Sequence, residues 1–454
     1  MTKIKKSSTK LIALVITPVL LVAMALAAGI TPKYIANAPE VATGIGARLA
    51  CSMHFVMGHE EEQIAQDIKV YSPILSFLTY EYDEDNKTVS AQIAGVKRSA
   101  SWQPKMGCAL NYEGVVRKQI DWPSNYRVTA SAPWPQGYDV RTTEPALQSK
   151  LTNLLNKDNE LGFDTRALLV VHKGQIVAES YAEGYNEQSL FLGWSMAKSV
   201  TGLLAGWVVQ QGKMNVLEMG LFPEWMQDER RTISIMNLLQ MTDGLDYDET
   251  YKPGETAPAM LFQTADAAQY MIDRPLRHTP GEYYSYSSGS TNLLMYLIQQ
   301  RLAKDPSEAV QIIDKQFFKP LGIESLVFES DNQGLLMGSS YMYANARDWA
   351  KFGQLMLNGG HLNNFYVVTP GWVRESIQPN ASANKQNFGY NWWLNQPQER
   401  WASLAPTAYS SKGNREQRIM VLPDNELVIV RLGWSKDDYR DDEIAAQIMS
   451  WFND

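Results

Sequence analysis

From about residue 141 to the end, strand-like runs occur only near the two extremes, and that leaves few ways to fold. Residues 167–171 and 175–181 are two β-rich runs across Lys173-Gly174, a hairpin signal. Residues 417–422 and 426–432 form a second pair, joined by the turn residues Pro423-Asp424-Asn425. Between the pairs the apolar residues recur at helical spacing, over 199–211, 292–302 and 344–360, with shorter helices within 231–244 and over 266–272. Further helices are expected at 144–155 and 441–452. The expected architecture is α/β (α+β): an antiparallel sheet flanked by helices, with a mostly helical region inserted.

The helix predicted over 199–211 is the one that carries chemistry. Val200, Leu203, Leu204, Trp207 and Val208 give it a buried face, and Gly202, Ala205 and Gly206 allow close packing. Ser195-Met196-Ala197-Lys198 stands at its head. Residues three apart share a helix face, so the hydroxyl and the amine meet. A serine hydroxyl needs a neighbouring base, and the first helical turn offers unpaired N–H groups to an oxyanion. Two other Ser-x-x-Lys matches exist, Ser7 to Lys10 and Ser382 to Lys385, but neither opens an apolar helix.

Two further stretches supply partners. Tyr286 lies in Tyr283-Tyr284-Ser285-Tyr286-Ser287-Ser288-Gly289, where small residues leave room for a ligand. A tyrosinate beside a lysine ammonium is stabilised by the opposite charge, which makes Tyr286 the expected proton shuttle. Ser410-Ser411-Lys412-Gly413-Asn414 precedes a strand, and Gly413 is expected to let a ligand approach the backbone. The N–H of Asn414 is the expected second oxyanion donor beside that of Ser195. His278, shortly before Tyr286, is a candidate neighbour of the site.

The first third of the chain sets the compartment. Lys3, Lys5, Lys6 and Lys10 precede an uncharged apolar run over 11–30, either a retained transmembrane anchor or a cleaved signal segment. Both export everything after residue 31, to the periplasm or the cell exterior. Cys51 and Cys108 are the only cysteines, and in an oxidising compartment they either pair or remain two buried thiols. Residues 31–50 are expected to be a linker leading to a short helix, 60–68 a helix and 87–96 a strand. The expected division is a tail and membrane segment over 1–31, a small appended domain over 32–140 and the catalytic domain over 141–454. A net charge of −8 with no basic cluster beyond the N-terminus excludes nucleic acid as a partner.

Taken together, the three motifs resemble the serine β-lactamase and penicillin-binding-protein superfamily, and within it the class C-like branch that includes esterases and 6-aminohexanoate-dimer hydrolases. Ser195-Met196-Ala197-Lys198 matches the nucleophile motif, Tyr286-Ser287-Ser288 the Tyr-x-Asn element, and Ser411-Lys412-Gly413 the Lys-Thr-Gly strand. Leu239-Gln240-Met241-Thr242-Asp243-Gly244-Leu245 and Tyr343-Ala344-Asn345-Ala346-Arg347-Asp348 agree in order and spacing. The resemblance implies a β-lactamase-like fold and hydrolysis of a small-molecule ester or amide through an acyl-enzyme on Ser195. Lys198 and Tyr286 would be the base system, Ser288, Ser411 and Gly413 would bind substrate, and no metal or other cofactor would take part. Ser411 replaces the lysine that usually holds a carboxylate, and Ser288 replaces an amide. Both changes lean away from β-lactams and toward an amidase or esterase. The competing readings are a non-catalytic binding protein for an envelope component and a D-amino-acid peptidase. Oligomeric state is not legible.

Overall fold

A computed structural model describes residues 31–122, 132–140, 144–396, 398–436 and 438–452. The two hairpins do share one sheet. Its six antiparallel strands run in the order Trp393–Leu394, Tyr409–Gly413, Gln417–Leu422, Leu427–Gly433, Thr165–His172, Gln175–Tyr181. The last long strand of the chain therefore pairs with the first strand of the early hairpin, with Ile429 opposite Val170.

Alternation along each strand sends successive side chains to opposite faces. Leu168, Val170, Leu427 and Ile429 face the helices Pro145–Glu160 and Asp441–Met449, whose Leu151, Leu154, Ile444 and Ile448 complete one core. Leu169, Val171, Val428 and Val430 join the larger core on the other face. The helices Met196–Gln210 and Ala346–Leu357 lie there against the sheet. Gly353 lets the second of these approach closely, since a Cβ there would stand 2.5 Å from Val428. Gly206 lets the first pack closely against the helix Pro370–Ser376, where a Cβ would meet Trp372 at 2.4 Å.

The N-terminal region departs from expectation. Residues 31–50 are no linker: one long helix spans Pro32–Phe55, capped by Thr31, whose hydroxyl accepts from Tyr34 N at 3.1 Å. Gly44 and Gly46, poor helix formers, hid it from the pattern. They are buried, and a Cβ on Gly46 would stand 2.6 Å from Leu78, so close packing rather than propensity holds this helix. The helix Glu61–Lys69 follows, then an antiparallel four-stranded sheet of Thr79–Asp83, Thr88–Ile93, Val96–Gln103 and Gly107–Leu110. Cys51 and Cys108 form a disulfide that ties the long helix to the last of these strands.

This region shares its core with the rest of the chain: Val41, Ile64 and Val89 belong to the same cluster as Leu169, Trp194 and Phe262. Buried polar latches reinforce the join. Glu329 accepts from Ser52 Oγ at 2.5 Å, Cys108 N at 3.0 Å and Arg48 Nε at 3.3 Å. Arg166 donates to both carboxylate oxygens of Asp67. Among the described residues no helix is long and apolar enough to cross a membrane; the segment 11–30 lies outside them.

Candidate active site

The chain reaches the site through a constrained turn. Gly193 N–H donates to Met342 O at 2.9 Å, and a Cβ on Gly193 would stand 2.2 Å from Trp349. Trp194 has φ of +49°, a left-handed conformation that costs a bulky residue about 1–2 kcal/mol. Its ring is held between Tyr71, Tyr341 and Trp434, with centroids 5.8, 5.7 and 6.1 Å away. The turn leaves Ser195 partly exposed immediately before the helix Met196–Gln210. The N–H groups of Met196, Ala197 and Lys198 donate back to Gly193, Trp194 and Ser195, whereas that of Ser195 meets no protein acceptor among the described residues.

Lys198 is 1 % exposed, and each of its three ammonium hydrogens has an acceptor. Nζ donates to Ser195 Oγ at 2.9 Å, to Ser288 Oγ at 2.9 Å and to Ser339 O at 3.0 Å. Burial disfavours the charged form and pulls its pKa down to about 8, against the opposing pull of the Glu249 carboxylate. Ser288 opens the helix Ser288–Leu302, whose N-cap is Ser287. Its N–H and Oγ both donate to Glu249, at 2.7 and 2.5 Å. A carboxylate at a helix N-terminus is favoured by the unpaired N–H groups there. The result is a chain of contacts from Ser195 through Lys198 and Ser288 to Glu249.

The Ser195 hydroxyl acts on the phenol of Tyr286, and Lys198 Nζ lies 5.0 Å from the Tyr286 ring centroid. Trp393 stacks on that ring at 5.2 Å and Phe388 meets it edge-on at 6.0 Å. Hydroxyl, amine and phenol thus converge in one place. The proton inventory differs from the expected tyrosinate. Burial, and then the Glu249 charge, push Tyr286 well above the usual phenol range. The depressed group is Lys198.

Ser411 lies on the strand Tyr409–Gly413, fully buried, with Oγ 3.5 Å from Met196 O at the head of the nucleophile helix. Lys412 points to the other face, where its amine pairs with Glu416 at 3.5 Å. Gly413 packs the strand end against the nucleophile turn, since a Cβ there would stand 2.1 Å from Gly193 O. Asn414 follows directly, in a tight turn with Arg415 at φ +57°. His278 stacks on Tyr283 at 4.2 Å, and both line a cavity of about 490 Å³ together with Tyr286 and Glu249. Ser382 is no rival nucleophile, because it is buried and its hydroxyl donates to Lys385 O at 2.9 Å. The pair at Ser7 and Lys10 lies outside the described residues.

Residues 152–449 match the family described as Beta-lactamase. The chain belongs to that family. It is 24% identical over 324 residues to the 6-aminohexanoate-dimer hydrolase of Paenarthrobacter ureafaciens, which covers 65% of this chain and 79% of the relative. Among solved structures it resembles a proposed 6-aminohexanoate-dimer hydrolase from Bacillus anthracis, with a TM-score of 0.55 and 18% identity over 86% of this chain and 94% of the other. It also resembles a class C beta-lactamase, with a TM-score of 0.53 and 14% identity over 69% and 99%. Family membership and the hydrolase relatives make the protein a serine hydrolase.

Glu249 is the site residue that the sequence did not single out. It sits in Asp246-Tyr247-Asp248-Glu249-Thr250, a polar run with no periodicity, some forty residues before the serine it contacts. Its only sequence signal is that it follows Thr242-Asp243-Gly244-Leu245.

Proposed function

We propose that the protein hydrolyses a small-molecule ester or amide through an acyl-enzyme on Ser195. The observation that carries this reading is Lys198: buried, depressed toward neutrality, and hydrogen-bonded to the Ser195 hydroxyl. The neutral amine takes the hydroxyl proton as Ser195 Oγ attacks the carbonyl carbon. The oxyanion accepts from the N–H groups of Ser195 and Asn414. As the bond to the leaving group breaks, Tyr286 gives its phenolic proton to the departing oxygen or nitrogen. The proton on Lys198 then passes to the tyrosinate, which restores both groups. Water repeats the sequence on the acyl-enzyme, with Lys198 again as base, and releases the acid and Ser195. A resting tyrosinate is not needed, and the upward push on Tyr286 suits an acid.

Ser411 in place of a lysine leaves no cation at the position that would hold a substrate carboxylate. A neutral ester or amide fits this better than a β-lactam or a D-peptide. We further propose that the catalytic region works in an oxidising compartment outside the cytoplasm, attached through residues 11–30 or released by their cleavage. The disulfide between Cys51 and Cys108 supports export.

The test is covalent labelling. A fluorophosphonate probe should add one adduct, on Ser195, to the intact protein. Ser195→Ala should take none and should lose ester hydrolysis by about 10³-fold or more. Equal labelling or equal turnover in the two proteins refutes the assignment and favours the binding-protein reading.

A further inference from the structure

Two cavities border the catalytic cluster, one at Tyr286 and Glu249 and the other at Trp194 and Asn414, and they differ in chemistry. The one lined by Tyr286, Glu249 and His278 is polar. The other, of about 380 Å³, reaches the nucleophile turn at Trp194 and Asn414 and is otherwise mostly apolar. One wall of it is the N-terminal helix Pro32–Phe55, which presents Tyr34, Ala38, Ala42 and Ile45 at helical spacing. Its volume is in the range that small organic ligands occupy.

The two ends of a substrate can be assigned. Tyr286, the proton donor to the leaving group, lines the polar cavity, so the leaving group departs on that side. The acyl portion extends the opposite way, past Asn414, whose N–H would hold the carbonyl oxygen. We infer that the cavity between the N-terminal helix and the nucleophile turn receives the acyl group, and that this group is a flexible apolar chain. The inference rests on the reading of Ser195 as nucleophile. It gives the region over 32–110 a role in specificity. The disulfide at Cys51 and the Glu329 latches then hold one wall of the acyl pocket in place.

The experiment is a chain-length series of p-nitrophenyl esters, from acetate to octanoate, on the full chain. Each methylene that enters an apolar site is worth up to about fourfold in kcat/KM, so octanoate should exceed acetate by tenfold or more. Ala42→Phe and Ala38→Phe narrow the cavity from the helix side. They should flatten the series, with a loss in kcat/KM that grows with chain length from acetate to octanoate. A flat or falling series in the wild-type protein overturns the inference, as does a rise that survives both substitutions. If neither variant folds, the wild-type series alone decides. Failure of the catalytic reading looks different: Ser195→Ala would then hydrolyse acetate as fast as wild type.

Discussion

Replacing Glu249 by glutamine removes the one charge that holds Lys198 in its ammonium form. Nζ of Lys198 and the Glu249 carboxylate are bridged by Ser288 Oγ through contacts of 2.9 and 2.5 Å. The two charges therefore lie no more than about 5.4 Å apart, an attraction of about 3 kcal/mol at an effective dielectric of about 20. Glu249 is partly exposed, and solvent screening reduces this to about 1.4 kcal/mol, or one pKa unit. The sign follows from which form reacts. Neutral Lys198 is the base, so kcat/KM rises with pH through its pKa of about 8. In Glu249→Gln the ammonium loses its counter-charge, the pKa falls, and the rising limb moves about one unit toward acid. At pH 7 the neutral fraction then grows from about one-tenth to about one-half, a gain of about fivefold relative to the plateau at high pH. The assay is the pH dependence of kcat/KM on a p-nitrophenyl ester between about pH 5.5 and 9.5. Asp248→Asn serves as the control, since Asp248 is not among the charges acting on Lys198 and should leave the limb where it is. A limb that stays put in Glu249→Gln, or moves toward alkali, refutes Lys198 as the base and Glu249 as its counter-ion.

Tyr286→Phe should lower kcat by about 10²- to 10⁴-fold on anilides and alkyl esters, which need a protonated leaving group, and less on p-nitrophenyl esters, as steady-state kinetics on both classes will show. Gly413→Ala should cut kcat more than it raises KM, because its Cβ would stand 2.1 Å from Gly193 O and push the Asn414 turn away from Ser195; unchanged kcat would count against Asn414 as an oxyanion donor. Cys108→Ser opens a disulfide that closes a separation of 57 residues, worth about 4 kcal/mol, and calorimetry should show Tm lower by about 4–5 °C in the variant but not between variant samples with and without reductant.

Local rules made much of the catalytic region legible. The β-rich runs at 167–171, 175–181, 417–422 and 426–432 marked the four longest strands of the large sheet, and turn residues marked where each pair reversed. The apolar spacing after Ser195 marked the nucleophile helix, and the three-residue step to Lys198 put both side chains on one face of it. Such features depend on neighbours along the chain, so the sequence carries them. The helix Pro32–Phe55 was not legible, because its glycines argue against a helix until Leu78 and Phe262 pack against them.

The charge state of the site belongs to the same second class. The sequence determined which groups are present, a hydroxyl, an amine and a phenol on three motifs. Which of them gives up its ordinary protonation depends on burial and on charges brought from elsewhere. Glu249 reaches Ser288 across thirty-nine positions of sequence, and the walls around Lys198 come from Ser288 and Ser339, far along the chain. Desolvation and Coulomb energy are functions of distance in space, and only the folded chain fixes those distances. For that reason the tertiary structure, and not the motif, decided that the amine of Lys198 is the group drawn toward neutrality while Tyr286 keeps its proton.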